Sequence, residues 1–168
     1  AEGGVVAGMH ALARMCAHGE GAARDFDRCL RWNRKAADAG YPPAIFSVGD
    51  CHEQGLGVPE SNERALEWYR RAAALGLPKA ELSEGFALES GRGTKRDAAG
   101  AVRLYRRAAE RGLPVAQKFL ATMLSNGSGV TRDPVESFAC MLRAARNGVP
   151  EAQYNVAVSL REGDGCVE

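Results

Sequence analysis

The chain is short of most features that would give it chemistry of its own. No apolar run approaches the roughly 20 residues of a membrane-spanning helix, and no charged stretch followed by an apolar one opens the sequence given. Membrane insertion is therefore not expected, and a signal peptide would have to lie upstream. Neither sign of charge is in excess: 22 Lys and Arg face 21 Asp and Glu, for a formal charge of +1. The charges are interspersed, without the basic surplus of a nucleic-acid footprint or the basic face of a membrane-surface helix. Histidine is scarce. His10 and His18 stand eight residues apart, and with His52 they make no metal-ligand spacing. Five cysteines, Cys16, Cys29, Cys51, Cys140 and Cys166, are an odd number and include no CxxC. Zinc and thioredoxin-like motifs are thus missing. The set reads as free thiols in a reducing compartment, with the cytoplasm favoured over a periplasmic or secretory location. A Cys16–Cys29 bridge stays open. Cys51 and His52 are adjacent, but neighbours on a helix point about 100° apart, so they do not face each other as a catalytic pair. No Ser-His-Asp arrangement is legible, and no cofactor is expected.

What the chain has is a beat. Gly-x-Gly occurs at Gly19/Gly21, Gly55/Gly57, Gly91/Gly93, Gly127/Gly129 and Gly163/Gly165, a step of 36 residues each time (55−19, 91−55, 127−91, 163−127). Ala44, Ala80, Ala116 and Ala152 keep the same step. So do the Ala-Ala pairs that begin at Ala36, Ala72, Ala108 and Ala144, and the glycines Gly40, Gly76, Gly112 and Gly148. A fixed period with no insertions is the signature of a solenoid. One Gly-x-Gly could cradle a phosphate; five in phase are punctuation.

Each unit divides into two helices. In the second, Pro42-Pro43 opens helix A, where the missing N–H is harmless, and Gly55 ends it in a left-handed conformation. Helix B opens at Ser61, equivalent to Asp25, Asp97 and Asp133, whose side chains can accept from the first-turn N–H groups. Ala65, Leu66, Trp68, Tyr69, Ala72 and Ala73 form its apolar stripe. One unit cannot bury its own apolar faces, so neighbours must stack. The resulting boundaries are residues 5–40, 41–76, 77–112, 113–148 and 149–168, the last a half unit, with residues 1–4 in phase with the tail of a preceding one. They form a single repeat domain of 1–168, read as a segment of a longer array.

In these positions the sequence resembles the Sel1-like repeat family, relatives of the tetratricopeptide repeats. Unit two carries the resemblance through Ala44, Gly49, Gly55, Gly57, Val58, Ala65, Trp68, Tyr69, Ala72, Ala73 and Gly76. Unit one carries it through Leu12, Gly19, Gly21, Asp25, Trp32, Ala36, Ala37 and Gly40. There are departures. The aromatic near the end of helix A is replaced by Cys16, His52, Leu88, Leu124 and Leu160, and the helix B Trp by Leu104 and Cys140. Glu84 occupies the slot of Leu12, Val48, Leu120 and Val156. A carboxylate there must pair, protonate or reach water. Either His52 pairs with it, or the helix turns slightly so that Glu84 meets solvent while Phe86 packs inward.

The resemblance implies an all-α, right-handed superhelical α/α solenoid. It also implies a non-enzymatic scaffold or adaptor that binds a protein or peptide on a concave surface lined by helix A. The candidate readers are the helix A positions outside the core: Ala11, Ser47, Ser83, Phe119 and Asn155 in one row, Arg14, Asp50, Phe86, Thr122 and Val158 in a second. Phe86 and Phe119 are the aromatic anchors, and Arg14 could pair an acid. Two alternatives remain: a hydrolase or acyl-binding activity of the kind proposed for cysteine-bearing members, and a structural subunit of a larger complex.

Overall fold

The computed structural model describes residues 2–21 and 23–162. Among them are nine helices and no strand: α1 (Glu2–His18), α2 (Phe26–Asp38), α3 (Pro42–Gln54), α4 (Asn62–Ala74), α5 (Pro78–Ser90), α6 (Ala98–Glu110), α7 (Pro114–Asn126), α8 (Pro134–Arg146) and α9 (Pro150–Glu162). The odd-numbered helices are the A helices of the repeat and the even-numbered the B helices. The chain divides into two units, each compact in itself. One runs to Ala80 and takes in Arg92–Thr94; the other comprises Glu81–Gly91 and continues from Lys95.

The caps explain the beat. Asp25, Ser61, Asp97 and Asp133 each accept a backbone N–H three residues on, at 2.8, 3.3, 2.8 and 2.8 Å. Each of these residues also donates its own N–H back to helix A, to the carbonyls of Cys16, His52, Leu88 and Leu124 at 2.8–3.0 Å. That bond folds helix B onto helix A whatever side chain stands at the accepting position, so replacing the family aromatic there leaves the turn intact. At the other end of helix B, Gly76 N–H reaches the Ala73 carbonyl and Leu77 N–H the Ala72 carbonyl, at 2.9 and 3.2 Å. This Schellman closure satisfies carbonyls that have no partner within the helix. It recurs at Gly40, Gly112 and Gly148, and the Ala-Ala pair supplies the acceptors each time.

The two glycines of the Gly-x-Gly have different tasks. Gly55 and Gly127 end α3 and α7 with φ +68. The second glycine meets the preceding repeat. A Cβ on Gly57 would lie 2.8 Å from the Phe26 carbonyl oxygen, on Gly93 2.5 Å from the backbone of Asn62, and on Gly129 2.4 Å from that of Ala98. Phe26, Asn62 and Ala98 are the first residues of α2, α4 and α6. Each loop therefore rests on the opening turn of the earlier helix B, at a distance that leaves no room for a side chain. Gly163 and Gly165 lie outside the described residues.

Two apolar clusters hold the units. Leu30, Ile45, Val48, Cys51 and the Ala36/Ala37 and Ala72/Ala73 pairs build the first. Val102, Tyr105, Leu120, Met123, Leu124 and Cys140 dominate the second. Each large aliphatic buried in this way contributes about 1.5–3 kcal/mol. Helix A packs tightly on helix B at Gly49, where a Cβ would stand 2.6 Å from the Tyr69 ring, and at Gly85, 2.7 Å from that of Tyr105. One period away in either direction the pair changes in both members, to Ala13 with Asn33 and Ala121 with Met141. Small residue and large residue vary together. Trp68, expected in the core stripe, is only half-buried, with the Arg71 guanidinium 4.2 Å above its ring.

Among the described residues the fully buried carboxylate is Glu81, at 0% exposure, while Glu84 is half-buried. Arg107 and Arg111 approach the Glu81 oxygens at 2.7 and 3.7 Å. Nor does Phe86 turn inward, being 41% exposed.

Candidate functional site

The helix A positions outside the core come together most clearly in the second unit. α7 and α9 present Thr122, Asn155 and Val158 to a cleft of about 400 Å³, and α8 closes one side with Phe138 and Met141. Tyr154, 70% exposed, stands at its edge. An adjoining cleft of about 360 Å³ shares Thr122, Tyr154 and Asn155 and adds Lys118 and Glu151, which are paired with each other. The Thr122 hydroxyl donates to the Lys118 carbonyl of its own helix at 3.1 Å. Asn155 is exposed.

The other expected readers have different settings. Arg14 is exposed, and Ser47 and Ser83 are half-buried. Phe119 is half-buried and stacks on Tyr105, with ring centroids 5.3 Å apart, so part of its surface is already spent on the core. Asp50 is tied down as well. The Tyr69 hydroxyl lies 2.8 Å from Asp50 Oδ1 and 2.9 Å from Glu53 Oε2. One phenol carries one proton, so it can donate to only one of two carboxylates at a time. Burial pushes the Asp50 carboxyl up to about 6; the Tyr69 hydrogen bond and Lys79 oppose that rise, and the charge of Glu53 adds to it. Arg92 lies 3.7 Å from Glu53 on its other side.

Cys51 and His52 both lie in the core. Burial, aided by the charges of Arg34 and Arg64, lowers the His52 pKa and so favours the neutral imidazole. The Cys51 thiol is hydrogen-bonded to Cys29, which raises the pKa of Cys51 and lowers that of Cys29. Cys16, Cys29, Cys51 and Cys140 are free thiols, so no Cys16–Cys29 bridge forms; Cys166 lies outside the described residues. Cys16 borders a cleft of about 600 Å³ whose lining holds Glu20, Arg24, Asp25 and Arg28 and no imidazole, so no thiol–imidazole pair forms there. Among the described residues no three His, Cys, Asp or Glu side chains are grouped to hold a metal ion, and no helix is long and apolar enough to cross a membrane.

Sequence reasoning missed Phe138, Met141 and Tyr154. The first two lie on helix B, outside the rows assigned to helix A. Tyr154 is an aromatic on a helix A whose neighbours Asn155 and Val158 were assigned, and it could have been added to them.

Comparison with known proteins agrees with this architecture. The Sel1 repeat family model matches residues 6–41, 42–77, 80–113, 114–149 and 150–168. The chain is similar to a Sel1 repeat protein from Oxalobacter formigenes, at 31% identity and TM-score 0.91, over 95% of this chain and 65% of that one. It is also similar to c5321, a protective antigen present in uropathogenic Escherichia coli strains that displays an SLR fold. That match is at 32% identity and TM-score 0.92, over 98% of this chain and 35% of that one. The chain thus spans less than two thirds of either relative. The immunity protein Pa5087 from Pseudomonas aeruginosa, at 19% identity and TM-score 0.67 over 92% of this chain and 58% of that one, shares the fold. Among curated proteins none matches.

Proposed function

The chain belongs to the Sel1 repeat family, whose members generally act as protein-interaction scaffolds, typically without catalysis, and on that premise we propose that this one captures a polypeptide partner on its helix A surface, with the α7–α9 cleft as the seat. The observation that carries the reading is the make-up of that cleft. Thr122, Asn155 and Val158 occupy positions where the repeat changes residue type from unit to unit, and they share one concavity with the apolar walls of Phe138 and Met141. Hydrogen-bonding groups beside an apolar wall suit an extended backbone with an anchoring side chain. Phe86, outward-facing on α5, is a second anchor.

The test is affinity capture with the chain as bait, followed by reconstitution with the purified partner. Val158→Asp with Tyr154→Ala should abolish the reconstituted complex while helical circular dichroism is unchanged. Undiminished binding by that variant would move the interface elsewhere; loss on Phe86→Ala would then place it on α5.

A further inference from the structure

The charge on the cleft walls narrows what the cleft can accept. Of the eleven side chains that line the larger cleft, Arg132 alone is charged, and none is a carboxylate. The nearby acids are already engaged: Asp133 caps α8, Glu136 pairs with Arg106, and Glu151 pairs with Lys118. Arg132 is exposed, and its Nε–H donates to the Ser125 carbonyl at 3.0 Å. That bond fixes the stem and leaves the terminal N–H groups, the pair that grips a carboxylate side-on. The same lining includes Asn126 and Ser159, neutral groups that can add hydrogen bonds without competing charge. Phe138, Met141 and Val158 supply an apolar stretch of the same wall.

We propose that the α7–α9 cleft takes an extended polypeptide segment in which an Asp or Glu side chain sits next to a large apolar one, the carboxylate on Arg132 and the apolar side chain against Phe138, Met141 and Val158. This rests on the reading of the cleft as the partner's seat. The occupant follows from complementarity: a basic segment would meet an uncompensated guanidinium, and a purely apolar one would leave it unanswered.

The experiment is fluorescence anisotropy of the whole chain against three labelled synthetic 12-residue peptides. They share one leucine anchor and differ only in the flanking residue, Glu, Gln or Lys. The Glu peptide should bind best, ahead of the Lys peptide by on the order of five- to tenfold at low salt, with the gap closing as salt rises. Arg132→Glu, at an exposed loop position, should reverse that order, and Val158→Asp should weaken all three. Equal binding of the three peptides, still lost in Val158→Asp, would overturn the charge preference and leave the seat standing. An order unmoved by Arg132→Glu would overturn it too. No saturable binding of any peptide would overturn both.

Discussion

Changing Gly85 to Ala should have opposite effects on stability depending on what stands at position 105. Gly85 lies in the middle of α5, where alanine is favoured over glycine by about 1 kcal/mol in helix propensity. Its new Cβ would sit 2.7 Å from Tyr105 Cε1 and 2.9 Å from Cδ1. The ring cannot readily retreat. Tyr105 is fully buried, its hydroxyl donates to Glu89 at 2.7 Å, and its face stacks on Phe119. Overpacking of this kind costs about 1–3 kcal/mol, so Gly85→Ala should come out neutral to about 2 kcal/mol destabilising. With Tyr105→Met in place the pair becomes the one that α7 and α8 already use, Ala121 with Met141. There the same Gly85→Ala change should stabilise by about 1 kcal/mol. The coupling in a double-mutant cycle is then about 1–3 kcal/mol. Urea unfolding of the four proteins, followed by far-ultraviolet circular dichroism, measures it. The cost of Tyr105→Met alone, which includes the bond to Glu89, cancels from the cycle. Additivity within about 0.5 kcal/mol, or a full gain from Gly85→Ala in the parent chain, would refute the size-matching argument.

Two further outcomes follow from the same contacts. The Asp50 carboxyl is raised to about 6 from 3.8, so the unfolded chain loses that proton first; stability should fall as pH rises from about 4 to about 6 and stay lower above that. Two pKa units set an upper bound of about 3 kcal/mol, reduced by the partial exposure of the group, and Asp50→Asn should flatten the decline; an identical Tm–pH slope between pH 4 and 8 in both proteins would count against it. Gly112→Ala, at φ +83 in open space, should cost about 1–2 kcal/mol. Gly93→Ala, at φ +66 and 2.5 Å from the backbone of Asn62, should cost at least about 1 kcal/mol more, and equal losses in chemical denaturation would contradict the inter-repeat contact.

The period, the caps and the helix-ending glycines were legible because each is set by a few consecutive residues. The role of Gly93 was not. Its contact, Asn62, stands 31 residues earlier (93−62), and no local pattern reports it. Glu84 was singled out because it departs from an apolar slot, whereas Glu81 drew no notice. Its slot holds Met9, Ile45, Glu81, Gln117 and Gln153, too mixed to mark any member as an exception, yet Glu81 itself has no exposure. Asp50 read as a surface acid because its partner, the Tyr69 hydroxyl, comes from another helix. Within the candidate site, Thr122, Asn155 and Val158 could be read from their non-core phase on helix A. Phe138 and Met141 could not, because their approach depends on how α8 packs against α7 and α9.

The mixed slot shows how a repeat frame tolerates polarity. Where it is apolar, as at Ile45, it joins the core. Where it is polar, the end of a helix B answers it. The Gln117 amide donates to the Ala109 carbonyl at 3.4 Å and accepts from Asn147 at 3.2 Å, and Gln153 donates to Ala145 at 3.2 Å. Position 111 is the counterpart of 147 one period earlier, and there Arg111, with Arg107, faces Glu81. Charge therefore faces charge and amide faces amide at equivalent places. The two arginines are half exposed, so replacing both with Ala removes little packing but leaves a fully buried carboxylate unpaired. Loss of a buried ion pair's partner costs about 3–5 kcal/mol, with the low end expected here because solvent reaches the guanidinium side. Asn147→Ala, which strands only a neutral amide, should cost about 1–3 kcal/mol. Glu81→Gln in the doubly substituted protein should recover most of the loss in urea unfolding. If the double substitution costs no more than an ordinary surface change, about 0.5 kcal/mol, or if Glu81→Gln restores nothing, Glu81 is held by something other than those two charges.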